Sequence, residues 1–580
     1  MEYRTHWNGT IGEKDVNKRV LVVGWVSKKR NLGSLLFIDL RDRSGIIQVV
    51  ANDDLIDKNI RNEYVLQVSG VVTKKDVPNP LLKTGAYEIK ADKITILNTA
   101  KTTPLIIADK TDALEEVRLK YRYLDLRRPI MQDYLMTRAK IVKITREFLD
   151  DNGFIEIETP ILTKSTPGGA RDFLVPSRLH KGSFYALPQS PQMYKQLLMI
   201  SGFERYYQIA RCFRDEDLRA DRQPDFTQID IETSFFTEDE FLTLMEKLIA
   251  KIFKETLDYE IKLPLRRLAY KEAMEKYGSD KPDTRFDLFI NDIKRILENS
   301  DADLFKNNQF IHAIVVKNVA SDFSRKNLDE LNLIARKYKL NSVGTLKLNN
   351  NELSGTLAKL ISENEKEALI NELKLSENDL VIIGFSNTQK DVLSALGAIR
   401  LALANKYNLI PLNRFDVLWV NRFPLFSKDQ ETGKLVSEHH QFTMPLVSHI
   451  PLLDIEPEKV LSQAFDIVIN GNEAGGGSMR IYDQELQEKI FKLLGMSEED
   501  VNNTFSFFVE ALKYGTPPHG GLAFGLDRLA MIINDTDNIR DVIAFPKNIA
   551  GVCPMSGEPG VVAKEQLEEL HIEIKNEKKE

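Results

Sequence analysis

The chain has 580 residues, 42% of them hydrophobic and 28% charged, which fits a soluble globular protein with a length prior of about four domains at roughly 150 residues each. Its net charge of −7 excludes a chain that is basic throughout but leaves room for nucleic-acid binding through local patches. Cys212 and Cys553 stand in no CxxC or Cys/His cluster, which argues against zinc and a disulfide framework and for a reducing cytoplasm; MEYRTHWNGT has no apolar signal segment, and no apolar run approaches the roughly 18 residues of a membrane helix.

Residues 1 to about 100 read as all-β, with strands at Val20–Val26, Leu35–Leu40, Gly45–Val50, Val65–Val72 and Ala86–Ala91. Short strands at this spacing predict a small Greek-key barrel of OB type. Ser27-Lys-Lys-Arg30 reads as a basic loop between the first two strands, beside Phe37. Cations for phosphates and a ring for a base suit single-stranded nucleic acid. A solvated loop over a core Phe is the plain alternative. Residues 101–128 read as a connector containing Pro104.

An amphipathic helix is expected from Ile130 to Asn152, with Leu135, Ala139, Val142, Thr145 and Leu149 near one stripe and Asn152-Gly153 as its stop. Phe154–Pro160 then alternates as a strand. Thr163–Asp172 is a polar loop with adjacent Gly168 and Gly169, a lid candidate. Phe184–Leu187 reads as a strand, and the helix opened by Gln189-Ser-Pro-Gln puts Gln192 and Lys195 on one face. Cys212–Ser234 parses as strand, charged loop, strand. In it Arg214 and Arg222 suit phosphates, Phe226 a flat ring and Asp230 a cation; a solvated charged hairpin is the alternative. Glu238–Leu257 is a helix.

Residues 284–405 read as an inserted α+β module with strands Phe310–Val316 and Leu380–Gly384, and helices Leu328–Tyr338, Leu357–Leu373 and Val392–Leu403; no motif of chemistry falls there. Val417–Val420 is a strand, and Glu438–Thr443 sets two histidines together. Phe465–Arg480 packs Asp466, Glu473 and Arg480 around a glycine run. No Lys follows in the manner of GxxxxGK[ST], so the glycines read as clearance for a ligand rather than as a phosphate loop. Asp466 and Glu473 offer hard oxygen ligands for Mg²⁺, with a surface acid pair as the alternative. Gly525 precedes a helix with Arg528 in its first turn, an arrangement that favours an anion. The tail from Glu565 reads as solvated and frayed.

Together these stretches resemble the class II aminoacyl-tRNA synthetases. Phe154–Pro160 is similar to their first motif, Phe213-Arg-Asp-Glu216 with Phe226 to the second, and Gly525-Leu-Asp-Arg528 to the third. Gln189–Lys195, Cys212–Ser234, Glu473–Arg480 and Gly515–His519 bring the resemblance to the bacterial aspartyl branch, whose GAD domain the insert resembles. The fold it implies is multidomain α+β, with boundaries expected at 1–100 (OB-fold anticodon-binding), 101–128 (connector), 129–283 and 406–563 (a catalytic domain on an antiparallel sheet), 284–405 (the insert) and 564–580 (tail). The activity it implies is activation of L-aspartate by ATP, then transfer to the 3′ end of tRNA(Asp), by a cytoplasmic homodimer with no membrane role.

The residue roles below are what the resemblance implies. Arg214 meets the α-phosphate and, with Arg528, is catalytic. Phe226 and Arg528 sandwich adenine. Glu216, Gln223, Gly525, Leu526 and Asp527 help hold ATP, and Asp466 and Glu473 hold Mg²⁺ on the triphosphate. Lys195 and Arg480 grip the substrate's side-chain carboxylate, so that asparagine would leave both cations buried and unpaired. Asp230 orients those cations, Gln192 meets the ammonium, and His439 closes over the amino acid. In the barrel Phe37 stacks on an anticodon base, with Arg30 and Gln48 reading base edges. Arg219 and Arg222 face the acceptor end. Gly168 stands where the family usually has Glu, which implies weaker aspartate binding. Leu32, where relaxed members often carry His, implies restriction to tRNA(Asp); charging of tRNA(Asn) as well is the alternative, and a non-catalytic tRNA-binding paralogue a more distant one.

Overall fold

The computed structural model describes residues 3–52, 60–165, 170–429 and 431–575. These fall into two compact units, one comprising Met1–Lys140, Asp217–Pro224 and Asn534–Glu580, the other Ile141–Glu216 and Asp225–Ile533.

In the first unit, β1 (Arg19–Leu32), β2 (Leu35–Asp42), β3 (Gly45–Asn52), β4 (Val65–Lys74) and β5 (Tyr87–Asn98) close into a barrel in the order β1-β2-β3-β5-β4. Alternate residues, among them Val20, Val22, Ile38, Leu40, Ile47, Val49, Leu66 and Val68, fill its core. The lysines and arginine expected as a basic loop instead continue β1: Lys28 faces Asp39, Lys29 faces Ile38 and Arg30 faces Phe37. The chain reverses only at Gly33, whose φ of +65° is open to glycine at little cost. Pairing with β2 outweighs the poor strand propensity of the charged run, because Lys28 and Arg30 point to solvent and Lys29 donates to the Ile60 carbonyl at 3.0 Å.

In the second unit the elements are β6 (Ile155–Glu156), β7 (Leu174–Pro176), β8 (Phe184–Ala186), β9 (Arg205–Phe213), β10 (Asp225–Ser234), β11 (Arg266–Ala269), β12 (Ile290–Asp292), β13 (Phe310–Val316), β14 (Gly344–Asn349), β15 (Glu352–Ser354), β16 (Leu380–Ser386), β17 (Val417–Asn421), β18 (Phe426–Lys428), β19 (Leu435–Ser437), β20 (Ala464–Ile469), β21 (Asn472–Met479) and β22 (His519–Gly525). Eight of them form one sheet in the order β11-β17-β20-β21-β22-β10-β9-β6, antiparallel except at its two edges. The hairpin read from Cys212–Ser234 is the β9–β10 pair, with Phe213 opposite Asp225. The strand expected over Phe154–Pro160 shrinks to two paired residues, because only Ile155 and Glu156 lie along β9.

A second, five-stranded antiparallel sheet, β12-β13-β16-β14-β15, forms the inserted module. Its alternation buries Ile314 and Ile382 on one face and Ile311 and Ile383 on the other. The helix expected over Leu357–Leu373 is shorter, Glu363–Glu372, because Ser362 and Glu365 form a capping box that starts it there.

Two glycine contacts shape the middle of the eight-stranded sheet. A Cβ at Gly477 would lie 2.1 Å from the Gly521 carbonyl oxygen, and one at Gly521 would lie 1.9 Å from Glu232 Oε2. The clearance between β21, β22 and β10 therefore depends on missing side chains.

Candidate active site

Strand alternation on β10 sends Gln228, Asp230 and Glu232 to one face and Ile229 and Ile231 to the other. The helix Gln192–Ile200 packs on β10 and supplies Lys195. Lys195 Nζ lies 2.6 Å from Asp230 Oδ1 and 3.3 Å from Glu232 Oε2. Glu232 in turn accepts from Arg480, with Nε–Oε1 at 2.9 Å and Nη2–Oε2 at 3.2 Å. All four side chains are buried. Two cations and two carboxylates thus form a continuous quartet. Burial pushes the Asp230 carboxyl up, and Lys195 does not fully counter it. Burial works on Glu232 as well, but Arg480 and Lys195 together hold its carboxyl below the usual range.

This overturns one expectation. Lys195 and Arg480 are already paired with carboxylates, so asparagine would not leave both charges bare. Arg480 is saturated: its five N–H groups meet Glu232 Oε1 and Oε2, the Gly521 carbonyl at 3.2 Å, Ser478 Oγ, and His440 Nε2 at 2.7 Å. His519 closes the floor, its Nδ1–H donating to the Pro517 carbonyl at 2.8 Å with Nε2 3.2 Å from Gln196 Oε1. Burial lowers the affinity of both His440 and His519 for protons, so both are neutral.

Four of the expected site residues carry buried polar atoms with no hydrogen-bond partner among the described residues: Gln192 Nε2, Arg214 Nε, Asp230 Oδ2 and His439 Nδ1. Such atoms are costly unless a ligand or water completes them. His439 stands edge-on to Phe423 and lies 3.5 Å from Asp466 Oδ1. Burial works against its charge, but Asp466 outweighs that and holds the imidazolium above its ordinary range.

The residues expected to hold a nucleotide converge around β9, β10 and β21. The Arg214 guanidinium sits 5.1 Å from the centroid of the Phe226 ring and so covers one of its faces. Asp527 anchors the start of the helix Leu526–Ile533 to β10, accepting from Thr227 N–H at 2.8 Å. Arg528 donates to the Glu473 carbonyl at 2.7 Å and so stands over β21. A Cβ at Gly476 would lie 2.6 Å from Asp466 Oδ1 and 3.8 Å from Glu473 Oε1, so the two carboxylates flank a cradle kept open by glycine. That donor set fits Mg²⁺, which takes one or two carboxylates and completes its shell with water and phosphate. Lys281, 3.9 Å from Glu473 Oε2, adds a cation nearby.

Glu216 lies three residues beyond β9, Gly525 ends β22, and Gln223 falls in the first unit, where it pairs with the Lys547 backbone at 2.8 and 3.0 Å. Gly168 lies outside the described residues. In the barrel, Arg30 and Phe37 are cross-strand partners, as are Asp39 and Gln48. Arg30 Nη2 donates to Asp39 Oδ1 at 3.1 Å, Lys75 Nζ to Gln48 Oε1 at 3.2 Å, and Gln48 Nε2 to Glu88 Oε2 at 3.0 Å. One barrel face therefore carries a ring, cations, an amide and carboxylates together.

Sequence reading missed Glu232, His440, Ser478 and His519 around the quartet, and Asp39, Lys75 and Glu88 on the barrel. Glu232 carried a usable signal: it stands two residues from Asp230 on a strand, hence on the same face. His440 did not, because nothing in the pair His439-His440 says which ring turns toward Arg480.

The family model described as tRNA synthetases class II (D, K and N) matches residues 114–549, and that described as an OB-fold nucleic acid binding domain matches 20–97. Among similar curated proteins, the aspartate–tRNA(Asp/Asn) ligase of Geobacillus sp. (strain WCH70) is 50% identical over 588 residues, covering 99% of both chains. The protein of the same name from Bacillus subtilis (strain 168) is 50% identical over 589 residues with the same coverage, and the aspartate–tRNA ligase of Bacillus licheniformis is 49% identical over 586. The solved aspartyl tRNA synthetase from Entamoeba histolytica shares the fold at a TM-score of 0.57 and 20% identity, covering 92% of this chain and 90% of its own.

Proposed function

The chain belongs to the class II tRNA synthetases (D, K and N), in the aspartate–tRNA ligase branch, and from that premise we propose how its residues carry the reaction. The observation that supports the assignment most is the buried quartet Lys195–Asp230–Glu232–Arg480, together with polar atoms of Gln192, Arg214, Asp230 and His439 that have no hydrogen-bond partner among the described residues. An amino acid with a second carboxylate and an ammonium matches those donors and acceptors. Asp230 Oδ2 accepts from the ammonium. Gln192 presents an amide that reads an ammonium with one end and a carboxylate with the other. Asparagine is rejected because its NH₂ would point a donor at donors of Lys195 and Arg480.

In the first step a carboxylate oxygen of aspartate attacks the α-phosphorus of ATP, and the bond to the bridging oxygen of pyrophosphate breaks. The nucleophile is already ionised, so no base is needed; rate comes from positioning and charge neutralisation. Arg214 neutralises the α-phosphate, and Phe226 and Arg528 hold the base, assisted by Glu216, Gly525 and Leu526. Asp466 and Glu473 would hold Mg²⁺, which supplies charge neutralisation to the phosphates when bound. In the second step a terminal ribose hydroxyl of the tRNA takes the aspartyl group and AMP leaves. Cytoplasmic residence and a homodimer are part of the proposal.

For tRNA choice, the names of the Geobacillus and B. subtilis relatives favour charging of both tRNA(Asp) and tRNA(Asn) over the restriction that Leu32 suggests. Aspartylation assays on the two purified tRNAs decide it. For the chemistry, Arg214→Ala should lower aspartate-dependent pyrophosphate exchange by about a thousandfold, the upper range for loss of one transition-state donor. Near-normal exchange by a folded variant would remove Arg214 from the mechanism.

A further inference from the structure

Arg480 has no vacant donor, yet the proposed function, on which this inference rests, asks it to receive a carboxylate. One of its five partners must therefore yield. Four are fixed by the sheet. Glu232 is fully buried, bridges both cations and is wedged against Gly521. Ser478 and the Gly521 carbonyl belong to β21 and β22, paired with each other across the strands. The fifth, His440, is the exception. It sits half-buried in residues 438–441, between β19 and the isolated bridge Thr443–Arg480, outside every strand.

Its contact is also the least satisfied of the five. Nε2 accepts from Arg480 Nη1 at 2.7 Å, while the Phe442 backbone N–H points at Nδ1 from 3.2 Å. A neutral imidazole has one acceptor nitrogen and one N–H. Two donors thus compete for a single lone pair, and one of them goes without. Thr443 Oγ1, 3.4 Å from Nδ1, offers the ring's N–H another partner. Releasing Arg480 would let Nδ1 accept from Phe442 instead. The cost of giving up the arginine contact is correspondingly small.

We propose that His440 is a placeholder: it occupies Arg480 Nη1 in the empty site and yields that position to the side-chain carboxylate of aspartate. It is a positioning residue that acts through Arg480. Without it the empty site would hold a buried guanidinium donor with no acceptor. With it, aspartate binds only after displacing an internal ligand, which lowers apparent affinity by the fraction of enzyme still closed.

The test is steady-state pyrophosphate exchange and thermal unfolding of full-length wild-type, His440→Ala and His440→Gln enzymes. His440→Ala should lower KM for aspartate by about threefold or more, with KM for ATP unchanged. It should also lower Tm of the ligand-free enzyme and enlarge the Tm rise that saturating aspartate produces. His440→Gln restores a neutral acceptor and should bring both readouts back toward wild type. A purely structural histidine would instead raise KM for aspartate on truncation. An unchanged or raised KM in His440→Ala, or no rescue by Gln, overturns the proposal. If the Ala variant does not fold, His440→Leu, which keeps volume without an acceptor, is read in the same way. Arg480→Ala run in parallel separates the levels. If it keeps wild-type KM for aspartate, the assignment of Arg480 fails. If it loses aspartate activation while His440→Ala is silent, only the placeholder fails.

Discussion

Lys195 and Asp230 were legible as residues because a cation on a helix face and an acid on a strand can be placed by period alone, whereas the role of Arg480 came from the resemblance to the class II synthetases. Their arrangement was not legible. Nothing in sequence spacing says that Glu232, rather than Asp230, is the acid that spans both cations. The structure makes the two acids unequal: burial holds Asp230 toward its protonated form, while Arg480 and Lys195 hold Glu232 ionised. Their amide variants should therefore differ. Glu232→Gln removes the charge that two buried cations depend on and should cost about 3 kcal/mol, the lower end for breaking a buried pair. Asp230→Asn removes a charge that burial disfavours and should cost clearly less. Urea unfolding of the two variants checks the order; equal losses, or a larger loss at Asp230, would refute the division of roles.

At the level of elements, strand alternation and turn chemistry placed the β9–β10 hairpin and the barrel, but overran where pairing partners were lacking. Phe154–Pro160 alternates well, yet only Ile155 and Glu156 pair in register with β9. Conversely, Asn472–Met479 looks too glycine-rich for a strand and is one, because β20 and β22 approach closely on either side. Gly476 shows what that composition does for function. Its missing Cβ leaves room between Asp466 and Glu473, and an alanine methyl would sit 2.6 Å from Asp466 Oδ1. Gly476→Ala should displace that carboxylate and raise the Mg²⁺ concentration needed for half-maximal pyrophosphate exchange by about tenfold, the effect of about 1.4 kcal/mol. Far-ultraviolet circular dichroism should be unchanged, since the position is extended and at the site rather than in a core. A variant with normal Mg²⁺ dependence would mean that these two acids do not form the cradle.

For the whole molecule, the net charge of −7 gave no hint of a nucleic-acid partner, because the relevant charges are local. The barrel shows how local. Ile38 and Leu40 are buried in its core, while Phe37, between Leu36 and Ile38, turns outward opposite Arg30. Phe37→Ala therefore removes a stacking surface without emptying the core. Loss of one base–aromatic stack is worth roughly 1–3 kcal/mol, so KM for tRNA should rise about fivefold to a hundredfold. Pyrophosphate exchange without tRNA has no proposed role for any barrel residue, so its rate and its KM for aspartate should not move. Arg30→Ala should act in the same direction, since Arg30 shares that face and ties to Asp39 and Gln48. The opposite pattern, with exchange impaired and KM for tRNA intact, would place the barrel's aromatic face outside tRNA recognition and make it part of the protein's packing instead.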